Sequence, residues 1–271
     1  MNPNSLPHLF AFSTLVLLFG FSEMAAGYCV LTPSMPIQIE GGAATQSGEA
    51  SVFLTPNPEQ PQLLEFSAQS VTSASVVLVG PFPSLLKVWC KNDENRKPLE
   101  WTFNTDASTA TVHLTKVTKS RALPLSFLAA KHTGTLADGT FLFSAADATV
   151  VGKQAKLESH PGNYRIGYWG NANDFVSWKR NVPKGRYSVE LVYSRASPDG
   201  TKVTLALGDN AFPMALKSTS SWYRYRSVSM GSWKHPGGEI EATMKVDKII
   251  NGGVMNLKAV ILTPVVRSMG R

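Results

Sequence analysis

The chain is 271 residues long and carries 26 lysines and arginines against 19 aspartates and glutamates, a net charge of +7. That length holds one large or two small β-domains and leaves no room for a barrel of about 250 residues beside them. The basic excess favours anionic partners, but no block of lysine or arginine concentrates it, which argues against nucleic acid.

Residues 1–27 read as a secretory signal. The apolar stretch 9–21 is short for a membrane span, and Ala25-Ala26-Gly27 offers small residues for cleavage before Tyr28. The segment has no lysine or arginine, only His8 and the terminal amine. An uncleaved anchor is the competing reading, and a lipoprotein at Cys29 is disfavoured because Tyr28 stands where a small residue is needed. Cleavage removes only Glu23 among the charged residues and leaves a balance of about +8. The implied location is extracellular or periplasmic, with no stable membrane insertion after cleavage. There a Cys29–Cys90 disulfide is permitted but not required, since Cys90 fits a strand equally well as a small buried hydrophobe. No Asn-x-Ser/Thr glycosylation acceptor occurs.

Residues 28–137 read as a first β-region. The stretch 37–48 is expected to loop. Short strands are expected at 52–54, 63–66, 75–79, 85–90, 99–103, 109–114 and 125–129. Turn clusters such as Gly80-Pro81-Phe82-Pro83 separate them. A polar glycine- and threonine-bearing stretch, 132–140, marks a boundary. Beyond it a second β-region, 138–264, opens with strands at 140–143 and 149–151 and leaves a tail, 265–271. Only 144–148 suggests a helical turn, and no longer helical periodicity appears.

Within the second region, an aromatic-rich turn is expected at Tyr164-Arg165-Ile166-Gly167-Tyr168-Trp169, beside Asn171, Asn173 and Asp174. Period-two alternation follows over 175–180, with Val176 and Trp178 on one face. After the turn Val182-Pro183-Lys184-Gly185, the residues Tyr187, Val189, Leu191 and Tyr193 alternate inward. The fold class expected is all-β: two consecutive antiparallel sandwiches.

Several of these residues carry a resemblance. Gly167-Tyr168-Trp169, Asp174-Phe175-Val176-Ser177-Trp178, Ser220-Ser221-Trp222 and the closing run 252–264 resemble carbohydrate-binding modules of the galactose-binding-like jelly-roll type, family 6 among them. They are also similar to the β-domain at the C-terminus of family-29 glycoside hydrolases, the α-L-fucosidases. Gly80-Pro81-Phe82-Pro83, Val88-Trp89 and Lys97-Pro98-Leu99-Glu100-Trp101 resemble the smaller sandwich that follows the barrel in those enzymes. The resemblance implies that 28–137 is a fucosidase C-terminal-like sandwich and 138–264 a jelly roll with a glycan site in the loops at one end. The positions matching that site are Tyr168, Trp222 and Asn256, with Trp169 and Asn173 as neighbours. The implied partner is a glycan, fucosylated or anionic.

The residue types suit that chemistry. A pyranose offers an apolar C–H face to an aromatic ring and a rim of hydroxyls to amides and charged groups. Each residue also has a plainer reading. Trp178 belongs to the core, and of Tyr168 and Trp169 one is expected buried and the other displayed. Trp222 could cap the sandwich, and Asn256 could bond the backbone. No catalytic residue is carried over, because the barrel that holds the two fucosidase carboxylates has no counterpart here. Asp93, Glu94, Asp138, Glu239 and Glu241 read as solvated, and Arg224 and Arg226, alternating with Tyr223 and Tyr225, as a solvated strand face. No cofactor or metal site is expected, although Asp147 and Glu158 are conceivable calcium ligands. The leading reading is a secreted, non-catalytic carbohydrate-binding protein. The alternatives are a fragment of a true fucosidase and a structural or adhesive surface protein.

Overall fold

The computed structural model describes residues 35–38, 52–57, 60–67, 75–79, 84–90, 97–106, 109–113, 124–136, 138–160 and 162–265. The expectations for the signal at 1–27, the Cys29–Cys90 disulfide, the acidic pair Asp93 and Glu94, and the tail past 265 lie outside the described residues.

The protein is nearly all β. The first half contributes β1 (Met35–Gln38), β2 (Val52–Asn57), β3 (Gln60–Ser67), β4 (Ser75–Val79), β5 (Leu85–Cys90), β6 (Trp101–Asn104), β7 (Thr109–His113) and β8 (Pro124–Ala129). Next come β9 (Gly134–Thr135), β10 (Phe141–Ser144), β11 (Thr149–Val151), β12 (Lys156–His160), β13 (Asn163–Gly167) and β14 (Phe175–Val182). The chain closes through β15 (Gly185–Arg195), β16 (Lys202–Leu207), β17 (Asn210–Ala215), β18 (Ser221–His235), β19 (Gly238–Lys248) and β20 (Asn256–Pro264). A 3-10 turn, Ala145–Asp147, follows β10 and is capped by the Ser144 side chain.

Two layers enclose the main core. One is the five-stranded sheet β11-β14-β19-β16-β17, and the other is built from β12, β13, β20, β15 and β18, with β10 alongside β20. Alternation explains the packing. Val176 and Trp178 of β14, Leu205 of β16 and Met244 of β19 meet Tyr187, Val189 and Leu191 of β15 and Val260 of β20. Trp178 donates its indole N–H to the Ser144 carbonyl at 2.8 Å, so its polar atom is satisfied inside the core. Burying a large side chain of this kind contributes roughly 1.5–3 kcal/mol.

The second layer is covered on its outer face as well. Leu86 and Trp89 of β5 and Leu128 of β8 pack on Leu142, Val192, Ala259 and Ile261. Strand β6 pairs with β18 through Arg224↔Thr102 and Tyr225↔Trp101, so strands of both halves share one sheet.

Three expectations change. Asn163–Gly167 is a strand rather than a turn, paired residue by residue with β12, and the chain turns only at Tyr168. Ile37 and Gln38 belong to β1, where Ile37 lies opposite Val52 and Leu78. Arg224 and Arg226 do not line a free face, because both reach Glu100 of the first half, at 2.8 and 3.9 Å.

Two ladder irregularities shape the loop end of the sandwich. The β15–β18 register jumps from Ser194↔Tyr225 to Arg195↔Ser221, so Trp222, Tyr223 and Arg224 arch away from β15. The β15–β20 register jumps from Val192↔Ala259 to Tyr193↔Leu257, leaving Lys258 as the extra residue of a bulge.

Candidate functional site: an aromatic-rimmed cleft

Three connections meet at one end of the sandwich: 168–174 after β13, 216–220 before β18, and 249–255 before β20. Among the described residues, three non-glycine residues have left-handed backbones: Tyr168 (φ 54°), Ser220 (φ 66°) and Asn251 (φ 42°), one in each connection. Such conformations are disfavoured for residues with a Cβ and collect at binding sites.

Between these loops lies a cleft of about 380 Å³. Its rim is aromatic: Tyr168 is 65% exposed and Tyr223 42%, with Trp222 half-buried. Lys156 Nζ sits 4.0 Å from the centre of the Tyr168 ring, a cation–π contact that steadies this exposed side chain.

The Trp222 backbone is fixed by two donors to its carbonyl, Ser194 Oγ at 2.6 Å and Asn256 Nδ2 at 2.7 Å. Its indole rests on Gly253, where an added Cβ would come within 2.9 Å of Trp222 Cη2. Asn256 is buried, so the backbone-bonding role foreseen for it is real, and the residue also lines the cleft.

The polar wall is Glu158 and Arg165, which face each other across the β12–β13 hairpin. Arg165 grips the carboxylate with Nε at 2.9 Å and Nη2 at 2.8 Å. Its Nη1 donates to Tyr225 Oη at 3.4 Å, and its guanidinium lies 4.8 Å from the Tyr223 ring centre. Burial works against the Arg165 charge, yet the bond to Glu158 more than offsets this and keeps its pKa raised. A Cβ on Gly167 would collide with Glu158 Oε1 and come within 2.9 Å of Asn256 Oδ1. Bare backbone at 167 therefore lets both oxygens approach the cleft floor.

Two buried charges hold the loops. Arg195 donates to the carbonyls of Gly253, Val254, Ile250 (3.1 Å) and Pro198 (2.8 Å), and to Thr201 Oγ1 at 2.9 Å. Asp174 accepts from the backbone amides of Lys153 (3.0 Å), Gln154 (2.8 Å) and Ala155 (2.8 Å). Burial alone would raise the Asp174 pKa, but the three amides outweigh it and hold the carboxyl below its ordinary value.

Of the residues expected at a site, Tyr168, Trp169, Trp222 and Asn256 line one cleft and Asn173 does not. Asn173 is exposed in the turn, its amide held by Asn171 Oδ1 at 3.0 Å. Trp169 is 1% exposed, bonded through Nε1 to the Asp174 carbonyl, and forms wall rather than rim. Sequence reasoning missed Glu158, Arg165 and Tyr223 as members of the site. The pairing shows only in the β12–β13 register, where 158 faces 165. Asp147 and Glu158 are engaged elsewhere, Asp147 with His132 and Thr133 and Glu158 with Arg165.

Fold and site together define an all-β protein with an aromatic-rimmed, hydrogen-bonding cleft at the loop end of a sandwich. No protein-family model matches the chain, and no curated protein matches it. Among solved structures, a family 35 carbohydrate-binding module from Clostridium thermocellum is 17% identical, covering 46% of this chain and 98% of its own, at TM-score 0.40. The C-terminal family 6 module of LamC, a marine laminarinase from Zobellia galactanivorans, is 19% identical over 46% and 98%, at 0.38. The insecticidal crystal protein Cry2Aa is 11% identical over 56% of this chain and 28% of its own, at 0.40. At these values the similarities assign no ligand to this chain.

Proposed function

We propose that the cleft binds a glycan and that the protein is secreted and non-catalytic. The observation that carries this reading is the meeting of Tyr168, Trp222 and Tyr223 above a wall of Glu158, Arg165 and Asn256. The rings offer faces for sugar C–H groups. With Arg165 engaged by Glu158 and Tyr225, the carboxylate and the Asn256 carbonyl oxygen present acceptors suited to hydroxyl donors. Among the described residues Glu158 is the sole carboxylate lining the cleft, whereas glycoside hydrolysis uses two flanking the bond.

Within this proposal the chain divides into 28–137 and 138–264 and is related to the accessory tail of α-L-fucosidases. The ordered motifs support that relation: Gly80-Pro81-Phe82-Pro83 and Trp101 in the first part, Gly167-Tyr168-Trp169 and Ser221-Trp222 in the second. Secretion is supported by the character of residues 1–27. Ring stacking contributes about 0.5–1.5 kcal/mol per contact, and with hydrogen bonds added the expected affinity is weak, about 1 mM to 1 μM.

Trp222→Ala tests the reading. Wild type should bind a subset of a broad glycan array that includes fucosylated and sulfated members. The variant should lose that binding while its melting temperature falls by only a few degrees. Unfolding of the variant would make Trp222 a structural cap, and an empty wild-type array would defeat the glycan reading.

A further inference from the structure

We infer that the first half is a working part of the cleft: strand β6 holds the arch of β18 that carries Trp222 and Tyr223, and Trp101 is the positioning residue. The contacts form an unbroken series. The Trp101 ring stacks on Tyr225, centroids 4.6 Å apart and planes 23° from parallel. Tyr225 Oη accepts from Arg165, which grips Glu158 in the cleft wall and lies against the Tyr223 ring on the rim. Beside the stack, Lys258 Nζ lies 4.9 Å from the ring centres of both Trp101 and Tyr225 and 6.0 Å from Phe103. It bonds Asn163 Oδ1 at 2.9 Å, at the start of the strand that carries Arg165. On the far side, Glu100 receives Arg224 at 2.8 Å, the residue next to Tyr223.

The register jump in β18 gives this arrangement its meaning. Residues 222–224 have left β15, and Arg224 and Tyr225 find backbone partners in Thr102 and Trp101. The arch is tied at its start through the Trp222 carbonyl, to Ser194 and Asn256, and rejoins β15 at Tyr225, opposite Ser194. On the edge of β18 opposite β15, β6 pairs with Arg224 and Tyr225 at the end of the arch and, through the Trp101–Tyr225 stack, positions Arg165 and hence Glu158. Two discrete surfaces, an interface and a binding cleft, thus share one set of side chains, a physical basis for coupling between them.

The binding readout rests on the glycan reading above, so the test pairs it with one that does not. Full-length Trp101→Ala, Trp101→Phe and Glu100→Gln proteins are compared with wild type by affinity electrophoresis on laminarin, xylan, galactomannan and fucoidan. Amide hydrogen exchange is followed in parallel. Trp101→Ala should weaken retention about tenfold, with Trp101→Phe recovering most of it and Glu100→Gln falling between. In Trp101→Ala, exchange should rise over 221–226 and 163–167 while β14 and β19 keep wild-type protection. Unchanged affinity and exchange in Trp101→Ala would overturn the inference. So would a rise that spreads equally to β14 and β19, which would make Trp101 a general core residue. If wild type is retained on none of the four polysaccharides, the glycan reading fails for them and the exchange pattern alone decides the positioning role.

Discussion

At the scale of single residues, the cleft is made by departures from local preference. Tyr168, Ser220 and Asn251 hold left-handed backbones despite their side chains, and Tyr168 is displayed where a large aromatic would ordinarily be covered. Gly167 and Gly253 work in the opposite sense, by leaving space that Glu158 and Trp222 occupy. Gly167→Ala should therefore push the Glu158 carboxylate off the cleft floor and weaken glycan retention about tenfold, with a stability cost of about 1–3 kcal/mol for overpacking. Because the clash is with Glu158, the stability cost of Gly167→Ala should shrink in a Glu158→Ala background, read as a double-mutant cycle in urea. Strict additivity would mean that the added methyl meets something else. Tyr168, Trp222 and Asn256 were singled out because they match the loops of the carbohydrate-binding modules the sequence resembles, and the three line one cleft. Glu158 and Arg165 were not legible in the sequence. Read singly each is an ordinary surface charge, and only the hairpin register pairs them, Arg165 buried and Glu158 partly so.

At the scale of elements, strands with clean alternation declared themselves. In β14 and β15 the inward series Val176, Trp178 and Tyr187, Val189, Leu191 is the core that the structure shows. β13 escaped notice for a physical reason: Asn163, Arg165, Ile166 and Gly167 are all buried, on both faces, so no alternation survives. The loops are held by buried charges as well as by apolar anchors, Trp169, Leu216 and Val254. Arg195 spreads its guanidinium over carbonyls at 198, 250, 253 and 254, and burial lowers its pKa. Lysine cannot reproduce that fork. Arg195→Lys should cost about 2 kcal/mol or more, since several buried carbonyls lose their donor, and should loosen 249–255 in hydrogen exchange while β14 and β19 keep their protection. Equal protection of that loop in the variant and wild type would remove Arg195 from this role. At the other edge of the five-stranded sheet, Pro213 of β17 stands opposite Thr204, on an end strand where a missing N–H is tolerated.

At the scale of the whole molecule, the halves are joined by groups that look like solvent-facing residues when read in sequence. Lys87 pairs with Glu190 at 2.7 Å, Arg224 with Glu100, and Lys258 is 0% exposed among three rings. Turn spacing suggested two β-regions, and the sheet that β6 and β18 share was not readable from it, because nothing local says that Trp101 will meet Tyr225. Lys258 gives this junction a pH signature. Burial, then the neighbouring Arg165 charge, pushes its pKa well below the ordinary lysine value of 10.5. A base whose folded pKa is depressed opposes folding while it must stay protonated. Stability is therefore recovered as pH rises from the folded pKa toward 10.5. Measured against Lys258→Met, wild type should gain melting temperature over that interval, and a gap that stays constant with pH would mean that Lys258 keeps its charge when buried.

The placement of the cleft also orders events during synthesis. Its walls come from β12 and β13, from the arch at 222–224 held by a strand more than a hundred residues earlier, and from 253–256 at the start of the last strand. A nascent chain that has emerged only through β19 already has its aromatic rim residues and still lacks Gly253, Met255 and Asn256 of the lining. A ligand of the proposed kind therefore cannot template the early pairing of strands, because the cleft is complete only once β20 has joined the sheet.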